Sequence, residues 1–231
     1  FPSEIEKIER FFAVENRTSD VRAAIAEGTN VPLYILGSST DSAHLAAKKG
    51  LPYAFASHFA TNHLHNALQI YREEFTPSDV LQAPYCMAGV NVIIAETDEK
   101  ANELFTTLIR MFLGILTGER EGLKPPTPMT SELRGVLQHP SVQQMLKYSF
   151  VGSKESVKMK TKAFLEETKV DELIAVSAMY DAEDRKKSVT AFAEVMQEIN
   201  KKNKLKYHIL YERLPRIWTR QSSSFYDLNY S

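Results

Sequence analysis

Apolar residues recur along this chain with two periods, and the switching between them sets the expected architecture. Over 2–13, Ile5, Ile8, Phe11 and Phe12 fall on one stripe of an amphipathic helix. A polar stretch containing Gly28 follows and reads as loop over 14–30. Four short apolar runs then appear, at 33–36, 54–57, 90–95 and 173–177, each suited to a strand buried on both faces. Helical spacing fills 41–49, 61–75, 98–116, 154–167 and 183–199. Strands that alternate with helices predict an α/β fold built on a parallel sheet.

Within this pattern the segment 31–59, VPLYILGSSTDSAHLAAKKGLPYAFASHF, reads as strand, small-residue turn, helix and second strand. Gly37, Ser38 and Ser39 stand where the first strand ends and the helix near Asp41 begins. In parallel α/β units that junction is where ligands bind. Free backbone N–H groups and hydroxyls collect there beside the positive end of a helix dipole, a setting that suits phosphate. The same small polar residues also serve a plain tight turn, with Ser39 or Asp41 as N-cap. Thr97, ahead of Asp98 and Glu99, and Ser153, ahead of Lys154, read as ordinary helix caps. The stretch 118–129, with Pro125, Pro126 and Pro128, is a long loop that serves either as a lid or as a spacer.

Composition narrows the function classes. At 231 residues and 26.2 kDa, with 43% hydrophobic and 25% charged residues, the chain has the make-up of a soluble globular protein. A net charge of −1 supplies no overall field for nucleic acid or an anionic membrane. The lone Cys86 excludes an internal disulfide framework and fits the cytoplasm, and no apolar run of about 18 residues points to a membrane span. The opening FPSEIEKIERFF is charged, helical and without an initiating Met, as expected of a piece of a longer chain. No GxxxxGK[ST], HExxH, paired CxxC or GxSxG motif occurs. His63 and His65, two apart on one helix, do not form a metal site, and Cys86 reads as a packed small hydrophobe.

Three phrases carry a family resemblance: LYILGSSTDSAHLAAKKGLPYAFASHFA, APYCMAGVNVIIAETDEKANEL and VGSKESVKMKTKAFLEETKVDELIAVSAMYDAEDRKKSVTAFAEV. In type, order and spacing they resemble the later part of the bacterial-luciferase-like flavin-dependent oxidoreductases. The resemblance implies a (β/α)8 TIM-barrel-like fold, here incomplete, with the four strands matching the fifth to the eighth. It implies reduced FMN as cofactor, with the deazaflavin F420 as second choice. Oxygen, a small organic substrate and a flavin reductase as supplier of reduced flavin follow from the same resemblance. Gly37, Ser38, Ser39 and Ser42 match the part that holds the flavin phosphate, and Ser57 and His58 with Phe59 fall near the flavin ring or substrate. Catalytic residues of the early strands have no counterpart, so none is assigned.

On this reading residues 1–199 are the luciferase-like domain and 200–231 an extension outside the family pattern. That extension carries seven Lys or Arg interleaved with Tyr207, Tyr211, Trp218, Phe225 and Tyr226. A half barrel leaves strand edges and an apolar face uncovered. A complementing chain or a second copy is therefore expected, unless the chain is a truncated, non-catalytic flavin-binding remnant. A barrel enzyme that binds a sugar phosphate is a further alternative.

Overall fold

Short strands separated by amphipathic helices assemble into one parallel sheet in the computed structural model, which describes residues 2–29, 31–119 and 121–202. The helix α1 (Pro2–Phe12) and a 3-10 turn (Val14–Thr18) precede β1 (Ile35–Gly37), α2 (Thr40–Lys49), β2 (Tyr53–Phe55) and α3 (Leu64–Glu74). Then come β3 (Cys86–Ile94), α4 (Asp98–Thr117), α5 (Ser131–Leu137), α6 (Pro140–Met145) and β4 (Ser149–Gly152). The helix α7 (Lys154–Thr168), β5 (Glu172–Val176) and α8 (Ala182–Lys202) complete the described elements. From residue 203 onward the expected extension lies outside the described residues.

β3 is the hub of the sheet. Met87 pairs with Ala54 of β2 and with Glu172 of β5, so these two strands flank it on opposite edges. Asn91 pairs with Ser149 of β4 and with Val176 of β5, which places β4 beyond the end of β2 on the same edge. β1, β2, β3 and β5 therefore stand side by side as four barrel-type strands, and β4 is an addition to the upper half of β3. The sheet does not close, as expected of an incomplete (β/α)8 barrel.

Two differences from the sequence reading have physical causes. β3 starts at Cys86, four residues earlier than expected, because Gly89 interrupts its apolar run just before Val90. β4 was not expected at all: its four residues, SFVG, are too few to show a period.

Alternate residues of β3 point to different surroundings. Cys86, Ala88, Val90, Val92 and Ile94 join the core beneath α2, α3, α7 and α8. Ile93, facing the other way, packs with Val151 and Met179 under α4, α5 and α6. Lower on this second face, in the paired row Leu36–Ala54–Met87–Glu172, Ala54 is 3% exposed but Leu36 at the edge is 60% exposed. Covering a side chain such as Leu36 stabilises a fold by about 1.5–3 kcal/mol, a contribution that its exposure forgoes.

The proline-containing loop is strapped along α4. Thr106 Oγ1 donates to Thr127 O and accepts from Thr127 N at 3.0 Å, Thr107 Oγ1 donates to Lys124 O at 2.9 Å, and Arg110 donates to Pro125 O at 3.0 Å. These bonds make it a fixed spacer on the outer surface of α4 and not a lid. Among the described residues no helix is long and apolar enough to cross a membrane.

Candidate functional site

In a parallel sheet every strand ends on one edge, and the loops that leave that edge carry the site. Here β1 and β2 end side by side. Gly37 pairs with Phe55, and the Ala56 N–H donates to Gly37 O at 2.9 Å. The turn Ser38–Ser39 and the turn Ser57–His58 thus leave adjacent strands, about 4.8 Å apart at ordinary strand spacing. The sheet brings together the two groups of residues singled out in the sequence.

The first turn is built around Ser42. Its Oγ donates to Ser39 O at 2.7 Å and lies 3.1 Å from the Tyr53 hydroxyl, which also reaches Ser39 O at 3.3 Å. Burial pushes the Tyr53 phenol up to about 12, so it remains a neutral hydrogen-bonding group. Ser42 also explains Gly37: a Cβ there would lie 2.0 Å from Ser42 Oγ. Ser42 shapes the turn from inside, whereas Ser38 and Ser39 are exposed.

Ser39 is the N-cap of α2, yet its hydroxyl makes no capping bond. By contrast, Thr97, Thr130, His139 and Ser153 each accept a first-turn N–H at the starts of α4, α5, α6 and α7. The start of α7 is further taken up by Asp98, whose carboxylate accepts the Ser153 N–H at 2.5 Å and the Ser156 hydroxyl at 3.0 Å. Those bonds hold the Asp98 carboxyl below its usual range. α2 therefore leaves its N–H groups and the Ser38 and Ser39 hydroxyls available to an anion, with Asp41 in its first turn as an opposing charge.

The second turn is clamped from beneath. Ser57 Oγ donates to Gly89 O at 2.6 Å, and Asn91 Nδ2 donates to His58 O at 2.5 Å. Asn91 Nδ2 also reaches Ser149 Oγ at 3.3 Å, and Thr61 Oγ1 donates to Gln144 O at 2.8 Å, tying the loop to β4 and α6. Ser57 is fully engaged in this scaffold. The His58 ring stands edge-on to Phe59, with centroids 4.7 Å apart, and lies over Gly89. A Cβ on Gly89 would come within 2.5 Å of His58 Nδ1. That nitrogen is buried and has no hydrogen-bond partner among the described residues, and burial lowers the His58 pKa, which favours the neutral ring.

Gly89 and Asn91 escaped the sequence reading, although a glycine and an asparagine inside an apolar strand are a usable sign of close approach and of a buried polar anchor. Cys86 is buried and its thiol is pushed up to about 12 by desolvation, the state of an inert core residue. His65 contacts the Tyr148 hydroxyl and Glu167, each at 3.1 Å. Among the described residues no cluster of three or more His, Cys, Asp or Glu is placed to hold a metal ion. A groove of about 540 Å³ lies elsewhere, between α4, β4 and α7, and Lys160 Nζ bonds Val151 O within it at 2.6 Å. The β1–β2 edge is instead an open shelf, because among the described residues no opposite wall of a barrel faces it.

Comparison with known proteins agrees with this geometry. An uncharacterized protein of Bacillus subtilis (strain 168), YvbT, is 39% identical over 84% of this chain and 58% of its own length. A luciferase-like monooxygenase of Escherichia coli (strain K12) is 35% identical over 86% of this chain and 59% of its own length. The chain thus spans about three-fifths of the length of these relatives. The apo-MsnO8 crystal structure shares the fold at a TM-score of 0.71, 24% identity, and coverage of 85% of this chain and 59% of that one. Residues 8–172 match the family model of luciferase-like monooxygenases, and with relatives above 30% identity the chain belongs to that family.

Proposed function

We propose that this chain supplies the flavin-phosphate half of a flavin-dependent oxidoreductase or monooxygenase site that uses reduced FMN and oxygen on a small organic substrate. One observation carries the reading: α2 starts with a serine N-cap whose hydroxyl makes no capping bond, at a glycine–serine turn that adjoins His58, whereas α3, which also lacks a side-chain cap, starts at His63. Ser38, Ser39 and the first N–H groups of α2 would hold the phosphate, and Gly37 and Ser42 would keep the turn in shape. Neutral His58, with Nδ1 buried on Gly89, has Nε2 left to meet a carbonyl of the ring or of the substrate. Bound flavin would supply the redox chemistry, while these residues bind and orient it. The lone buried thiol and the absence of a long apolar helix among the described residues support a cytoplasmic setting. A flavin reductase would supply the reduced cofactor.

The open shelf favours a second statement: the chain on its own binds flavin weakly and does not turn over substrate, since none of the described residues would face the ring from the other side. Titration with FMN and with riboflavin, followed by flavin fluorescence, tests the assignment. FMN should bind at least tenfold more tightly than riboflavin. Ser38→Ala with Ser39→Ala should erase that difference while leaving riboflavin binding unchanged. Equal binding of the two flavins, or no FMN binding at tens of micromolar, overturns the reading for this chain.

A further inference from the structure

We propose that Gly89 holds His58 as the tautomer protonated at Nε2, so that the ring is a fixed hydrogen-bond donor to an acceptor oxygen in the site and not a base. A neutral imidazole carries one proton, and the surroundings of its two nitrogens decide which of them bears it. A Cβ built on Gly89 would lie 2.5 Å from Nδ1 and almost equally far from the two ring carbons beside it, 3.5 Å from Cγ and 3.4 Å from Cε1. Those three distances belong to a point in the ring plane, on the axis of the Nδ1 lone pair. In glycine a hydrogen on Cα takes that direction. The lone pair therefore meets a Cα–H, a weak but favourable contact. A proton on Nδ1 would instead point at that hydrogen, with no acceptor for it among the described residues. A buried N–H without an acceptor is the worse of the two arrangements.

The surrounding scaffold keeps the ring in this pose. Asn91 Nδ2 donates to His58 O at 2.5 Å, Ser57 Oγ donates to Gly89 O at 2.6 Å, and the Phe59 ring stands at 88° to the imidazole. Nε2, by contrast, is neither buried nor bonded to a described residue. With its proton there the ring can give a hydrogen bond, while a second proton would have to enter at Nδ1, against Gly89. Burial acts in the same direction by lowering the His58 pKa. Such a donor selects an oxygen with a free lone pair, a carbonyl above all, over any group that itself donates. That this oxygen belongs to the flavin ring or to a substrate beside it rests on the flavin reading.

Long-range nitrogen–proton NMR correlation on the flavin-free chain, labelled at its histidine nitrogens, reads the tautomer directly, with His58 assigned by its absence in His58→Gln. One species is expected at neutral pH, with Nε2 protonated and Nδ1 bare. In Gly89→Ala the displaced ring should show both tautomers in exchange while the other histidines keep their signals, a change that a merely structural glycine would not produce. A proton on Nδ1, or a mixture of tautomers in the wild type, overturns the proposal. Titration with riboflavin and with FMN then identifies the acceptor. A flavin oxygen predicts that His58→Leu weakens both flavins by the same factor, up to about tenfold for one lost hydrogen bond, whereas His58→Gln, which keeps a donor, loses little. Unchanged flavin binding in both variants assigns the acceptor to the substrate. A loss in His58→Gln equal to that in His58→Leu overturns the donor role. The tautomer is measured with no flavin present, so it stands or falls apart from the flavin reading, which the FMN titration of the wild type decides.

Discussion

Gly89 shows how one missing side chain organises the second turn. The imidazole of His58 occupies the space that a β-carbon on Gly89 would need, 2.5 Å from Nδ1. Gly89→Ala must push the ring off the strand and is expected to cost about 1–3 kcal/mol, the usual range for overpacking. Urea unfolding of Gly89→Ala, His58→Ala and the double variant checks this. The penalties should be far from additive, because removing the ring removes the clash; additive penalties would show that the ring is not what Gly89 accommodates. The same burial gives His58 a pH signature. Its folded-state pKa lies below the unfolded value of 6.5, so between those two values the unfolded chain binds more protons. Stability should accordingly fall as pH drops from 6.5 through the folded-state value. In His58→Gln that part of the pH dependence should vanish from the urea midpoints.

At the scale of elements, long periodic segments were legible, and so were the short strands β1 and β2 on either side of the helix that follows the marked turn, but the other short elements were not. α4 and α8 carry enough turns for their stripes to stand out, and α2 is bracketed by a marked turn and by Gly50 in the left-handed region at φ 62°. α5 and α6 have seven and six residues, too few for a helical period to separate from chance, and β4 has four. The glycine–serine turn was legible because composition and position agreed there. The clamp beneath His58 was not, since Asn91 and Gln144 reach it from residues 33 and 83 positions away from their partners. The proline loop illustrates the same limit: its prolines announced stiffness, but only the tertiary bonds to Thr106 and Thr107 define where it lies. Thr106→Val keeps the shape of the residue and removes both bonds to Thr127, for an expected loss of about 1–2 kcal/mol. Amide exchange at Thr127 should accelerate in this variant while exchange in β3 does not change. Unaltered protection at Thr127 would mean that the strap is held by something else.

For the molecule as a whole, the last two helices are joined to each other by surface ion pairs. Lys154 and Lys158 of α7 contact Glu198 of α8 at 3.0 and 2.6 Å, and Lys154 also contacts Glu194 at 2.9 Å. Hydrogen bonds from Lys158 and then Lys154 bring the Glu198 carboxyl down to about 2 from its ordinary 4.5. A carboxyl lowered in the folded state contributes stability that is complete above the unfolded value and is lost as pH falls through the folded one. The window for Glu198 therefore runs from pH 4.5 to about 2. Asp171 acts in the opposite sense: burial raises its pKa, so its ionised form is the one that the fold disfavours. Acid should thus weaken the α7–α8 clip while relieving Asp171 beneath β3. Because the clip is exposed, salt screens it, and its contribution should shrink between 0.1 and 1 M salt, where the screening length falls from about 10 to about 3 Å. In urea titrations at low salt, the wild-type midpoint should drop more steeply between pH 4.5 and 2 than that of Glu198→Gln, and the two should converge at high salt. Parallel acid profiles at low salt would show that the clip adds nothing to the stability of the half barrel, leaving α8 to be held by its apolar contacts in the core with β3.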